Sequence, residues 1–323
     1  MSQSEAAVVV RGVVKDFRPG LGVRRKRVLG GIDFTVRRGE LFGFVGPNGA
    51  GKTTTLKILL GLIHATAGEA SLLGHPAGEA AFRRQVGFLP ENPYFYDFLT
   101  GREILHFYAR LSGVPREARG RRVGELLERV GLAHAADARL RTYSKGMLQR
   151  IGIAQALVHD PELVFLDEPM SGLDPIGRKE IRDLVLQLHA EGKTVFMNTH
   201  ILTDVEMLCD RVAIIVQGRI RYEGRTEDFL GGAERCADVT LAHVPPELAE
   251  TFERQYGAEL SGRGPHVEFR VAEKHAQALV RAALDAGAEL RSLTPHRVSL
   301  ETVFLSAVEE EARERRAARE GGR

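Results

Sequence analysis

The sequence predicts an α/β protein built on a mostly parallel sheet, with a helical insertion and a small α+β domain after it. Three observations carry this expectation. Glu40-Leu41-Phe42-Gly43-Phe44-Val45 is a short buried strand that feeds a glycine-rich loop and then a helix from Thr55. Leu163-Val164-Phe165-Leu166 is an unbroken apolar run, as in a central parallel strand. Strands then alternate with helices, a pattern that places ligands at the carboxyl ends of the strands.

Taken in order, residues 6–46 read as short strands at Val8-Val9-Val10, Val13-Val14, Ile32 to Val36 and Leu41 to Val45. Between them Arg18 to Arg27, basic and rich in breakers, reads as a loop, and a solvated turn is favoured over a phosphate- or lipid-facing patch. A helix runs from the glycine-rich loop to about Leu62, and Val86-Gly87-Phe88-Leu89-Pro90 is a second buried strand. Across residues 98–160, Ile104, Leu105, Tyr108, Leu111 and then Val123, Leu126, Leu127, Val130 recur at three- and four-residue spacing. That spacing predicts amphipathic helices inserted into the α/β core. The core resumes with a helix over Arg178 to Ala190, a strand Thr194 to Met197, a short helix from about Ile201, and a hairpin of Val212 to Val216 with Arg219 to Tyr222. The pattern weakens near Gly231-Gly232, so a first domain is expected over 6–232. Residues 233–308 read as strand, helix, strand, helix, strand, and 309–323 as a charged, fraying, solvated helix.

Composition narrows the function. The 323 residues are 43% hydrophobic and 27% charged, as in an ordinary globular chain. A net charge of +2, from 45 Lys+Arg against 43 Asp+Glu, argues against a dedicated nucleic-acid binder. Cys209 and Cys236 have neither disulfide-framework nor metal-ligand spacing. No apolar run approaches the roughly 18–20 residues that span a bilayer. Met1-Ser2-Gln3-Ser4-Glu5 lacks the basic region and apolar core of a signal peptide. A cytosolic chain is expected, touching a membrane peripherally or through another chain.

The run Gly46-Pro47-Asn48-Gly49-Ala50-Gly51-Lys52-Thr53-Thr54 matches G-x-x-x-x-G-K-[ST]. With 35 glycines in the chain, two at a fixed spacing mean little, and an incidental glycine-rich turn is the plain alternative. The Lys-Thr pair and the strand–helix context decide for a phosphate cradle. Backbone N–H groups and the positive end of the helix form an anion site, Lys52 reaches the outer phosphates, and the Thr53 hydroxyl ligates Mg²⁺. Asp167 and Glu168 close the apolar strand at Leu166. Buried unpaired carboxylates are expensive, so both belong where the strand leaves the sheet beside the cradle. There Asp167 can hold the Mg²⁺ water shell, and Glu168 can take a proton from an attacking water.

With these motifs in this order, residues 8–230 resemble an ATP-binding cassette (ABC) ATPase, the motor subunit of a transporter. The resemblance implies a P-loop NTPase ABC cassette with an antiparallel β subdomain. The family's signature segment corresponds to Tyr143-Ser144-Lys145-Gly146-Met147, its following loop to Ser171-Gly172-Leu173-Asp174, and its switch histidine to His200. Phe17 falls where the family stacks an aromatic on adenine. The resemblance implies that the site of Ser144 and Gly146 meets the γ-phosphate on a second cassette, with Asp174 near the seam, while Lys145 could reach phosphate or simply face solvent. That second cassette is expected to be a copy of this chain in preference to a paralogue. A separate membrane permease is the other implied partner, with the chain on the inner face of the cell membrane and no nucleic acid bound. Lys145 and Met147 replace the family's glycine and glutamine, a variant of its exporter branch. Glu91 replaces the glutamine after the Leu-Pro strand and could still serve Mg²⁺ through water. Tyr94 to Phe98 is aromatic-rich, beside the groove where the family receives a permease helix, though ordinary packing accounts for these rings equally well. Val298 to Leu305 resembles the closing motif of the exporter branch's C-terminal extension. Competing readings are a soluble cassette acting on ribosomes or DNA, and a nucleotide-gated regulator without turnover. A single cassette and near-neutral charge weigh against the first, and intact Glu168 and His200 against the second.

Overall fold

The structure is a computed structural model that describes residues 5–18, 25–231, 236–262, 266–296 and 300–320. The chain begins with β1 (Ala6–Phe17), β2 (Lys26–Arg37), β3 (Leu41–Val45), α1 (Lys52–Leu59), β4 (Ala67–Leu72), β5 (His75–Pro76) and β6 (Val86–Leu89). The helical insertion holds α2 (Gly101–Leu111), α3 (Arg116–Arg129) and α4 (Lys145–Ala156). Next come β7 (Leu163–Asp167), α5 (Pro175–Ala190), β8 (Thr194–Thr199), α6 (Leu202–Leu208), β9 (Arg211–Val216) and β10 (Arg219–Arg225). The last elements are α7 (Thr226–Gly231), β11 (Cys236–Ala242), α8 (Pro246–Tyr256), β12 (Glu259–Gly262), β13 (His266–Ala272), α9 (Glu273–Asp285), β14 (Glu289–His296) and α10 (Leu300–Glu320). Two compact units result, Met1–Arg225 with Phe304–Arg323, and Thr226–Val303.

The first unit has a six-stranded sheet in the order β10-β9-β3-β8-β7-β6, parallel except for the β9–β10 hairpin. Every residue of β3, β7 and β8 is buried, which is why these strands read as apolar runs without alternation. A four-stranded antiparallel sheet, β2-β1-β4-β5, shares a core with it. Phe34 from the antiparallel sheet meets Phe44 at 5.2 Å, and Phe196 meets Phe165 at 5.2 Å, so rings from both sheets stack at the centre. Each such buried side chain contributes about 1.5–3 kcal/mol. The sheet order has a direct consequence for chemistry: β3, β8 and β7 are neighbours and run the same way, with Val45 beside Thr199 and Asp167 beside Asn198. The segments that leave these three strands must emerge side by side.

Several local expectations change. The two valine strands are one strand, β1, with a bulge at Gly12, where φ is +56° and the N–H donates to Asp33 at 2.8 Å. Lys26 and Arg27, read as loop, belong to β2. Helix α1 stops at Leu59, short of Leu62, because the Leu62 and Ile63 amides fold back on the Lys57 carbonyl. Helix α5 starts at Pro175 rather than Arg178, since Asp174 caps it by accepting the Gly177 N–H at 2.7 Å. In the insertion, Thr100 and Glu103 form a reciprocal capping box on α2, with N–O distances of 3.1 and 2.9 Å.

The second unit follows β-α-β-β-α-β order with an antiparallel sheet β12-β13-β11-β14, the ferredoxin-like arrangement. Its core is Val239, Leu241, Phe252, Phe269 and Leu279. Strand β12 was not anticipated. Val298 and Ser299 of the closing motif, and Gly232, lie outside the described residues, and Leu300–Leu305 opens α10. The charged tail is not simply solvated: Glu311 of α10 is 5% exposed and pairs with Arg221 of β10, and Ala307 is buried with it in the first unit.

Candidate active site

The loop after β3, the acids ending β7 and the residues after β8 line one cleft of about 490 Å³. The loop must be glycine-rich for steric reasons. A Cβ on Gly46 would collide with the Ile215 carbonyl, and Gly51 caps α1 at φ 113°, with Leu29 only 2.6 Å from any added Cβ. Ala50 is buried and accepts the Gly218 N–H at 2.7 Å, which pins the loop to the β9–β10 hairpin. Asn48, Gly49, Gly51, Lys52, Thr53 and Thr54 face the cleft. Gly46, Pro47 and Ala50 form its frame. Lys52 is 7% exposed and donates to the Gly46 carbonyl at 2.7 Å. Burial lowers the pKa of its ammonium, and the charges of Glu168, Asp167 and Glu91 oppose that shift.

Asp167 and Glu168 are 5% and 7% exposed. Burial pushes the Asp167 carboxyl up to about 6; the hydrogen bond from Asn198 opposes this, while the Glu168 and Glu91 charges add to it. Glu168 sits at φ +50°, held by its N–H to the Asn198 carbonyl at 2.8 Å and by the Ser171 N–H on its own carbonyl at 3.1 Å. Its carboxylate collects the local donors. His200 Nδ1 lies 2.8 Å from each oxygen, Thr199 donates at 3.3 Å and Lys52 Nζ is 3.8 Å away. His200 itself is exposed and on the cleft wall.

The donor set fits a divalent cation held chiefly by a substrate. Three carboxylates, Asp167, Glu168 and Glu91, act on the buried Lys52, and a cation would offset their charge further. Thr53 adds a hydroxyl on the same cleft, and the Asn198 Oδ1 is buried without a hydrogen-bond partner. Among the described residues no group of three or more His, Cys, Asp or Glu could hold a metal ion by itself. Mg²⁺, which keeps water and phosphate ligands, matches such an open set.

Other candidates stand elsewhere. Ser144 caps α4, accepting the Met147 N–H at 3.2 Å, and is exposed together with Lys145. Gly146 lies near Leu173, and the Lys145 ammonium lies against Gly172, so this segment borders the Ser171–Asp174 loop of the same chain. Ser144, Lys145, Gly146 and Asp174 do not line the cleft, nor does Phe17. Phe17 ends β1 opposite Lys26, which does line it, with Lys15 Nζ 5.0 Å from the ring centroid. Sequence reading missed Lys26, Val28, Ser171 and Asn198 on the cleft. Only the pairing of β7 with β8 reveals Asn198 as the partner of Asp167.

The ABC transporter family profile matches residues 29–171. An uncharacterized ABC transporter ATP-binding protein of Synechocystis is 45% identical over 301 residues, 92% of this chain and 83% of the relative. This chain belongs to the ABC transporter ATP-binding family. It is an ABC ATPase. A fluoroquinolones export ATP-binding protein of Mycobacterium tuberculosis is 44% identical over 193 residues, 59% of this chain and 62% of the relative. A dimeric ATP-binding cassette solved in a post-hydrolysis state with ADP and Pi superposes with a TM-score of 0.62 at 25% identity, covering 68% of this ABC ATPase and 98% of that chain. The matched residues include the glycine-rich loop, Ser144 and the acid pair, while Phe17, Asp174 and His200 lie outside them.

Proposed function

We propose that this ABC ATPase binds ATP in the cleft, closes against a second copy of itself and spends the hydrolysis on a separately encoded membrane permease, in the export direction. One observation carries the reading: Lys52 and the adjacent pair Thr199 and His200, from two segments far apart in the chain, converge on Glu168 beside the phosphate loop. Lys52 and the loop amides hold the outer phosphates. Glu168 takes the proton of the attacking water, and His200 orients that carboxylate and senses the γ-phosphate. Thr53 and Asp167 would hold Mg²⁺, with Glu91 reaching it through water; the ion supplies charge neutralisation of the phosphates.

Ser144 and Lys145 at the start of α4 are exposed and away from their own cleft, which suits a lid on the cleft of a second copy. A contact between a charge and a helix end is worth about 0.3–2 kcal/mol. Closure therefore sums many weak contacts, with Lys145, Gly146 and Asp174 at the seam, and loss of the γ-phosphate reverses it. Phe17 is assigned to the adenine. No described helix is long and apolar enough to cross a membrane. Tyr96, Phe98 and Phe107 form an exposed aromatic cluster at the start of the insertion, with Tyr96 and Phe98 centroids 5.7 Å apart, suited to receive a permease helix on the cytoplasmic side. The name of the mycobacterial relative supports the export direction. Tagging this chain in its host and purifying from membranes tests the reading. An integral membrane protein should co-purify and raise ATP turnover, whereas recovery on ribosomes, or no ATP hydrolysis in the purified complex, would overturn it.

A further inference from the structure

Strand β8 ends in Asn198 and Thr199, and Asn198 has no part in the chemistry proposed above. It touches both acids that follow Leu166. Its main-chain carbonyl accepts the Glu168 N–H at 2.8 Å, and its side-chain Nδ2 donates to Asp167 Oδ1. The register of β7 and β8 sets Asn198 beside Asp167, so the contact is built into the sheet. Asn198 is 1% exposed and borders the cleft. Its Oδ1 is buried without a hydrogen-bond partner, so among the described residues the side chain bonds to Asp167 alone. The next residue serves the other acid. Thr199 donates to Glu168 Oε2 at 3.3 Å, and its oxygen accepts the Ile201 N–H at 3.1 Å.

Val195, Phe196 and Met197 precede Asn198 on β8, and all three are buried. An apolar side chain would continue that run with no polar group to satisfy. An amide whose carbonyl goes unanswered is costly there, and the bond it does make has to justify it. That bond holds a carboxylate. The donors from this segment divide without overlap: Thr199 and His200 go to Glu168, and the Asn198 amide goes to Asp167. Asp167 Oδ2 takes no hydrogen bond from the described residues, and Asp167 lines the cleft. We propose that Asn198 is a positioning residue for the divalent cation that accompanies the nucleotide: by holding Asp167 Oδ1 it fixes the orientation of that carboxylate and keeps it apart from the donors of Glu168. This rests on the Mg²⁺ role proposed above for Asp167.

The test uses the full chain with its permease and the β,γ-imido analogue of ATP, which is not hydrolysed. Its Kd is measured with Mg²⁺ and again with EDTA, and the ratio of the two is the gain due to the metal. Thermal unfolding of the same samples gives the folded fraction. In Asn198→Ala the gain should fall about tenfold, while the Kd in EDTA stays within about twofold of wild type, as for loss of a partner that aims a ligating carboxylate. Exchanging the two side chains, Asp167→Asn with Asn198→Asp, rebuilds an amide–carboxylate bond in the reverse order and should leave the gain reduced. A gain within about twofold of wild type in Asn198→Ala, full recovery of the gain in the exchanged pair, or a loss that only follows the folded fraction would overturn the inference. Should Asn198→Ala fail to fold, Asn198→Leu, which keeps the volume, decides by the same ratio. Asp167→Asn measured in parallel separates the two readings. If it keeps the full gain, the metal role of Asp167 falls; if it loses the gain while Asn198→Ala keeps it, only the assignment of Asn198 falls.

Discussion

Lys52, Asp167 and Glu168 are each less than one-tenth exposed and knitted to Gly46, Asn198, Thr199 and His200, whereas Ser144 and Lys145 stand in solvent, with Ser144 bonded only to its own helix. In the proposed function the difference follows from what each half must do. Groups that stabilise developing charge work best where water is excluded and reorganisation is already complete. A lid that must engage and release cannot be buried in the chain that carries it, and weak helix-end contacts suit repeated opening.

The largest expected effect lies on the buried half. Glu168→Gln should keep ATP binding and cut turnover by about 10²–10⁴, read as phosphate release against nucleotide binding, and should trap a dimer. Near-normal turnover would remove Glu168 from the role of base. The contrast between halves is sharpened by mixing two dead variants. Lys52→Ala lacks the cradle and Ser144→Arg lacks the lid, so each alone should be nearly inactive. Their mixture should form one intact site per mixed dimer and rise about tenfold above either alone. A mixture no better than its parts would mean that the exposed half serves its own chain.

A third expectation concerns the cost of the buried half. The Asp167 carboxyl is raised from 3.8 to about 6 in the folded chain, so the native state holds that proton more tightly than the unfolded one. The penalty on the ionised form is full above pH of about 6 and is relieved as pH falls toward about 4. Asp167→Asn removes it. Without metal and nucleotide, the variant should unfold at higher temperature near neutral pH, by up to about 3 kcal/mol, and converge with wild type in acid. A variant less stable at neutral pH would show that the Asn198 bond outweighs burial. The smallest effect is remote from both halves. Glu311→Gln weakens the pair with Arg221 and should lower the melting temperature of the first unit by roughly 2–4 °C, with turnover unchanged within about twofold. A large loss of turnover would tie α10 to the reaction.

Much of this was legible beforehand wherever a local pattern has one physical meaning. The phosphate loop needs glycines, a lysine and a hydroxyl in a fixed order, and an apolar strand ending in two acids has few places to go. Long-range pairing was harder to read. Val8–Val10 and Val13–Val14 look like two strands because Gly12 breaks the alternation, yet the bulge bonded to Asp33 lets one strand continue. Asn198 looks like an ordinary polar residue beside His200 until the β7–β8 register sets it against Asp167. In the charged tail, a run of Glu and Arg likewise conceals Glu311, which turns inward.

The backbone at Glu168 is left-handed, φ +50°, in a residue type that adopts that twist reluctantly. Glycine or asparagine would rest there more comfortably. Selection for sturdiness alone would therefore tend to erase the acid, and an engineer hunting heat-tolerant versions of this ATPase should find that some of the hardiest hits no longer turn over ATP.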